Sequence, residues 1–222
     1  MRFGTPLSQD ELFARADALS GATLAELAQE ASWPLPQNLA KDKGYVGHLL
    51  ECILGAASGS KPQQDFPHLD LELKTLPIGL HLQPLETTYI TTVPLLNQGL
   101  VEFEQTVLYQ KLKRVLWIPI QGEREIPLAQ RLIGTPFVWQ PCAQQWSLIR
   151  QDWEEIMTQI CTGHIETLSA RQGQVLQVRP KAAHGRALTS AVGHDGVFIQ
   201  TRPRGFYLKK HFTQQILQDY FF

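Results

Sequence analysis

The chain has 222 residues, 43% of them hydrophobic and 18% charged, with 20 Lys and Arg against 21 Asp and Glu for a formal net charge of −1. That length supports one large domain or two lobes around a sizeable core, while no apolar run approaches the roughly 20 residues of a membrane span and "MRFGTPLSQDELF" lacks a signal peptide's apolar stretch. Cys52, Cys142 and Cys161 lie far apart without a CxxC pair, which excludes a disulfide frame or a cysteine zinc site and predicts free thiols in a reducing cytoplasm.

In chain order, Ser8 with Glu11 and Thr23 with Glu26 each fit the capping box that opens a helix, and Pro34 and Pro36 end that region. A third helix is predicted over residues 44–54, with Tyr45, Val46, Leu49, Leu50, Ile53 and Leu54 as its apolar residues. After the loop "GAASGSKPQQ" comes a strand over 70–77 and a second over 87–93, "TTYITTV". "VLWIPI", 115–120, is a continuous apolar run suited to a buried central strand. "PLAQRLIGTPFVWQ" predicts more extended chain, followed by a long helix over about 144–161 that Gly163 stops. "QVLQVRPK" and "RGFYLKKHF" read as strands, and "TQQILQDYFF" as a closing helix with Thr213 at its N-cap. The mixture predicts an α/β or α+β fold with a central mixed sheet flanked by helices.

The stretch "DFPHLDLELKTLPI" carries the chemistry. Leu71, Leu73 and Thr75 alternate with Glu72 and Lys74, so the acid and the lysine project to one face of a strand. Mg²⁺ takes oxygen ligands and is commonly held by one or two carboxylates plus a substrate phosphate. A lysine two residues on stands where it lowers the pKa of an attacking water and steadies charge developing on phosphorus. Asp65, entering from the preceding turn, completes the set D-(x6)-E-x-K, which resembles the D…(D/E)-x-K signature of restriction-endonuclease-like nucleases. Spacing by two would place Asp70 on the same face, as good a ligand as Asp65. Glu51, in the third helix with Gly47 and Gly55 a turn to either side, is a candidate fourth acid, the glycines leaving room for a close approach. Taken alone, an E-x-K pair is also what any exposed amphipathic strand shows.

"KDKGYVGHLLECILGAASGSKPQQDFPHLDLELKTLPI", "PLETT", "KLKRVLWIPI", "GEREIPLAQR", "VRPKA" and "PRGFYLKK" occur in order from about Leu19 to the C-terminus and together resemble the MutH family of mismatch-repair endonucleases. The resemblance implies a restriction-endonuclease-like fold over residues 1–222, a single domain of two lobes with DNA in the cleft between them, the N-lobe holding the metal site and the C-lobe the reading loops. It implies a monomeric, cytoplasmic, Mg²⁺-dependent enzyme that nicks the unmethylated strand 5′ to G at hemimethylated GATC, with MutL as activator and MutS upstream. Mn²⁺ is expected to replace Mg²⁺, and Ca²⁺ to bind without supporting cleavage. Carried over, the family's catalytic acids fall on Asp65 and Glu72, which would also hold the metal, its lysine on Lys74, its helix glutamate on Glu51 and a phosphate-binding lysine on Lys111. The family pattern does not use the position of Asp70, which is therefore expected to turn away or sit at the margin.

The resemblance also places the DNA contacts. Arg179 and Lys181 match the base-reading loop, and Arg or Lys on guanine O6 and N7 is the commonest specific contact. Pro180 fixes φ between them. Tyr207 matches the residue near the adenine, where an N6-methyl group would clash with a close aromatic. Tyr89 matches a DNA-contacting aromatic, and Lys43 and Gly44 precede a helix N-terminus suited to a phosphate. Lys209 and Lys210, taken as adjacent strand residues, should face opposite ways, with at most one toward DNA. The scattered histidines form no HExxH or HNH-like cluster, which disfavours a histidine–metal nuclease. A catalytically dead DNA adaptor should lack one of Asp65, Glu72 or Lys74, and all three are present. The residues do not distinguish the nicking enzyme from a dimeric restriction enzyme of the same fold that cuts both strands.

Overall fold

Two capped helices begin the chain, and their caps are the ones the sequence prescribes. In a computed structural model that describes residues 4–37, 42, 44–57, 62–96, 101–181 and 186–222, α1 (Gln9–Asp17) starts at Ser8, whose hydroxyl accepts from Glu11 N–H. The box is only half built there, because the Glu11 carboxylate takes the Leu7 N–H at 2.7 Å instead. At α2 (Leu24–Glu30) both halves form: Thr23 accepts from Glu26 N–H, and Glu26 accepts from Thr23 N–H at 2.8 Å.

The chain divides into two compact units. The first comprises residues 1–86, 113–140 and 216–222. It contains α1, α2, α3 (Tyr45–Leu54) and a three-stranded sheet of β1 (Glu72–Ile78), β3 (Val115–Gln121) and β4 (Phe137–Trp139) in the order β1-β3-β4. β3 is central, parallel to β1 and antiparallel to β4. Residues 115–120 are buried without a break, as a strand covered on both faces requires. Leu12, Leu24, Leu49, Leu50 and Leu54 from the helices pack with Phe66, Leu71, Leu73, Leu116 and Ile118 into one core beneath β1.

The second unit comprises residues 87–112 and 141–215. Its main sheet is antiparallel, in the order β2-β8-β5, from β2 (Thr88–Thr92), β8 (Arg204–Leu208) and β5 (Leu176–Pro180). The short α4 (Val107–Leu112) touches β2, and the long α5 (Ala143–Cys161) packs on β5. A separate hairpin joins β6 (Thr189–Val192) to β7 (Phe198–Thr201). α6 (Lys210–Phe221) starts in the second unit and ends in the first, where Phe137 stacks on Tyr220 at 4.6 Å. Among the described residues no helix is long and apolar enough to cross a membrane.

The architecture is a mixed α/β fold with six α-helices among the described residues and three small sheets instead of one central sheet. β2, β5 and β8 bury Ile90, Val178, Phe206 and Leu208 in the second unit, so they have no need to extend the first unit's sheet. The first strand begins at Glu72, not Asp70. Thr213 lies inside α6, where its hydroxyl donates back to the Lys210 carbonyl at 3.0 Å and so does not cap. Part of the segment predicted as extended is the 3₁₀ turn Leu128–Gln130.

Candidate functional site

β1 opens with its acid inside the protein. Glu72 is 0% exposed, and the Lys74 side chain, 16% exposed, donates from Nζ to Glu72 Oε1. The polar face is therefore largely covered, unlike the E-x-K pair of an ordinary exposed amphipathic strand. In register, Glu72 stands beside Val115 and Lys74 beside the fully buried Trp117. An isolated charge would not survive there; the pair does, because each group answers the other.

Asp65 joins by a backbone bond. The chain turns through Pro67–Leu69 and returns, Phe66 pairing with Leu71. That reversal brings Asp65 Oδ2 within 2.9 Å of the Leu73 N–H, between Glu72 and Lys74. Burial acts to lower the Lys74 pKa, but the charges of Glu72, Asp65 and Glu51 and the hydrogen bond that Lys74 donates to Glu72 outweigh it and raise the value above the usual lysine range. Lys74 is therefore charged at neutral pH, with the Glu72 carboxylate in direct contact and Asp65 and Glu51 adding to the same favourable field.

Asp70 is not part of this acid–lysine set. It caps the 3₁₀ turn in the left-handed region at φ 51°, exposed, two residues before β1 begins at Glu72, so the pleat that would have aligned the two does not reach it. The reading of Glu51 between two spacious glycines needs a similar correction. Gly47 is open, but Gly55 is the left-handed cap of α3 at φ 74°, and a Cβ there would meet the Gly4 carbonyl oxygen at 2.3 Å. The close approach it permits is by the chain itself.

Among the described residues no three His, Cys, Asp or Glu side chains form a metal cage. Mg²⁺ does not need one: one or two carboxylates with water and a substrate phosphate suffice. Asp65 and Glu72 supply that hard-oxygen set, held by a backbone N–H and a lysine, and fit the ion.

The second constellation lies on the β2-β8-β5 sheet. Residues opposite one another in antiparallel strands share a face. Tyr89 pairs with Tyr207, Tyr207 with Gln177, and Gly205 with Arg179, so Tyr89, Tyr207 and Arg179 share one face while Val178, Phe206 and Leu208 line the buried one. The two tyrosine rings meet edge-on at 5.4 Å. The Arg179 guanidinium stands 5.9 Å from the Tyr207 ring and donates to Thr87 Oγ1 at 3.1 Å, and Lys181 Nζ lies 4.5 Å from the Tyr89 ring. Burial, with the neighbouring Tyr89, raises the Tyr207 pKa despite Arg179, which keeps its phenol neutral. Pro180 is exposed between the two basic residues.

Gly205 escaped the sequence reading. A Cβ at that position would lie 2.7 Å from Tyr89 Cε2 and 3.1 Å from Tyr207 Cε2, so the glycine is what lets the rings lie over β8. A glycine inside a predicted strand, here in "RGFYL", was the available signal.

Lys111 sits half-buried on α4 in the second unit. Gly44 is the N-cap of α3 at φ 94°, a left-handed conformation that favours glycine, and no side chain caps the helix there. Lys43 lies outside the described residues. Lys209 and Lys210 are not adjacent strand residues, since β8 ends at Leu208 and Lys210 begins α6. Lys209 turns inward to the Arg171 and Gly173 carbonyls.

The molecule is thus a mixed α/β protein carrying an acid–lysine strand in one unit and a basic–aromatic sheet face in the other. A family model described as the DNA mismatch repair enzyme MutH matches residues 54–152. The chain is 52% identical over 216 residues to the DNA mismatch repair protein MutH of Yersinia enterocolitica, covering 97% of this chain and 95% of that one. It is 52% identical over 217 residues to the protein of the same name from Serratia proteamaculans, covering 98% and 95%. For that of Vibrio cholerae the identity is 51% over 216 residues, covering 97% and 98%. The chain belongs to the MutH family of DNA mismatch repair enzymes.

Proposed function

We propose that this protein is a Mg²⁺-dependent endonuclease of mismatch repair that nicks the unmethylated strand 5′ to G at hemimethylated GATC sites. The observation that carries the reading is the buried Glu72–Lys74 pair with Asp65 tied to the Leu73 N–H between them. When bound by Asp65 and Glu72, Mg²⁺ would supply positive charge at the scissile phosphate and lower the pKa of water. Lys74, held protonated, steadies the negative charge that develops on phosphorus. Glu51 adds to the field that keeps Lys74 charged, and Lys111 is assigned to a backbone phosphate.

Recognition is assigned to the second unit. Arg179 and Lys181 read base edges, Pro180 stiffens the chain between them, and Tyr207, steadied by Tyr89, senses bulk at the adenine N6 position. Gly44 with Lys43, ahead of the α3 N-terminus, takes a phosphate. One duplex must then meet both sets of side chains. The protein acts as a cytoplasmic monomer, with the MutL ATPase as its activator.

A strand-labelled duplex with one hemimethylated GATC tests the proposal, with Mg²⁺ or Ca²⁺ and with or without the MutL partner. A single Mg²⁺-dependent nick 5′ to G on the unmethylated strand, increased by the partner, is expected. Cleavage of both strands regardless of methylation would replace this reading with that of a restriction enzyme, and binding without cleavage would replace it with that of an adaptor.

A further inference from the structure

We propose that Asp152 is a positioning residue for base reading: its buried carboxylate sets the register of the strand that presents Arg179. The inference rests on the endonuclease reading and deepens it. Asp152 lies on α5, far from the reading residues in sequence, and is 1% exposed. Its Oδ1 accepts from Gln174 N–H at 2.7 Å, and its Oδ2 accepts from Val175 and Leu176 N–H, both at 2.7 Å. Three consecutive backbone donors thus converge on one carboxylate at the start of β5. Burying a carboxylate is costly unless its oxygens are matched, and this turn matches them.

The turn is shaped for that purpose. Gly173 has φ +76°, and a Cβ there would fall 2.0 Å from the Leu176 carbonyl oxygen and 3.2 Å from Asp152 Cγ. Only glycine lets the chain curl tightly enough to aim three N–H groups at one side chain. The turn is held from the opposite side by Lys209, the residue after β8. Its Nζ donates to the carbonyls of Arg171 and Gly173, and its N–H donates to the Val175 carbonyl at 2.8 Å. The segment from 171 to 176 is therefore tied to α5 by Asp152 and to the end of β8 by Lys209.

Register is what those ties fix. With Leu176 opposite Leu208, Gln177 falls opposite Tyr207 and Arg179 opposite Gly205. A slip of one residue would turn Arg179 to the other face of the sheet. Arg179 is three residues past Leu176, about 10 Å along the strand, so Asp152 acts on recognition through the backbone, without contacting DNA. A merely structural anchor would affect every substrate equally, whereas a register device affects the cognate site most.

The test compares the full-length wild type with Asp152→Asn and Lys209→Met. Asparagine keeps the shape and two of the three acceptor bonds but turns an NH₂ donor toward the Gln174 N–H. Nicking kcat and KM are measured at hemimethylated GATC and at a site with one base pair changed, with amide exchange at Val175 to Arg179 read in parallel. Wild type should prefer GATC by roughly 5- to 150-fold for one changed pair. Asp152→Asn should cut that preference by about threefold or more, toward parity between the two sites, chiefly through KM, within the roughly hundredfold that an ångström of misplacement costs, and should speed exchange along β5. Lys209→Met, which leaves the Asp152 bonds in place, should cut it less and serves as the readout if the asparagine variant does not fold. An unchanged preference in a folded variant, with activity on both substrates falling together, would overturn the inference. A wild type with no preference for GATC would overturn the functional reading itself, and the inference with it, before any variant is considered.

Discussion

The acid–lysine set and the basic–aromatic set differ in how the chain assembles them. Asp65, Glu72 and Lys74 come from ten consecutive positions, brought together by one turn and one strand, with Glu51 added from the preceding helix. Tyr89, Arg179 and Tyr207 come from three strands far apart in sequence and share a face because antiparallel register aligns them, with Lys181 just past the end of β5. The first set is centred on the buried Glu72 and held by its ion pair with Lys74 and by the Leu73 N–H on Asp65, the second partly exposed and held by backbone pairing. A local, charge-locked site suits chemistry that must be the same at every turnover. A register-built face suits recognition, where sub-ångström placement of several side chains decides which DNA is accepted.

That contrast is breakable by mutation. The largest effect should come from Glu72→Ala, which is expected to lower nicking by at least the 10²- to 10³-fold typical of losing one preorganised electrostatic group while leaving GATC binding intact; a gel-shift beside a nicking assay reads both. Glu72→Gln keeps the volume and a Lys74 acceptor, and separates lost chemistry from the cost of leaving Lys74 without its buried partner. Next comes Tyr207→Ala, expected to reduce discrimination between methylated and unmethylated strands while cutting persists, as measured on duplexes methylated on either strand. Gly205→Ala should act in the same direction by pushing the Tyr89 ring off β8, with an overpacking cost of about 1–3 kcal/mol visible in urea unfolding. The smallest effect should come from Thr23→Ala, in neither set, which costs about 1 kcal/mol of stability and leaves nicking and strand choice unchanged.

The cap also carries a pH signature. Hydrogen bonds from the Thr23 backbone and then its hydroxyl hold the Glu26 pKa below its ordinary 4.5. A lowered carboxyl contributes stability above its unfolded value and loses it as pH falls through the folded one. The Thr23→Ala deficit should therefore be full at neutral pH and shrink below the ordinary carboxylate range, as unfolding curves at neutral and acidic pH would show.

Much of the first unit was legible because its signals are local. Capping residues marked α1 and α2, glycines bounded α3, and the apolar run 115–120 marked the covered central strand. Spacing alone set Asp70 on the face of Glu72 because period-two counting ignores where the pleat begins and a left-handed residue resets the phase, whereas the resemblance expected Asp70 to turn away, as it does. The β6–β7 hairpin went unread although "VGHDGV" holds turn chemistry at its centre, where Gly196 has φ +73°. The convergence of the second set could not follow from spacing, because register between distant strands is a tertiary property; the family resemblance supplied those residues, and the sheet supplies their shared face. Asp152 and Lys209 were invisible for the same reason, since their partners are backbone groups of a remote turn.

The division of labour is tested most directly by measuring, side by side, nicking rates and binding constants of Lys74→Ala and Arg179→Ala at GATC and at a site with one base pair changed. Lys74→Ala should lose nicking by about 10²- to 10³-fold and keep its binding preference. Arg179→Ala should lose about 1–3 kcal/mol of that preference and still cut what it binds. If both variants lose cutting and preference in the same proportion, cutting and reading are not carried by separate sets of residues and the account fails.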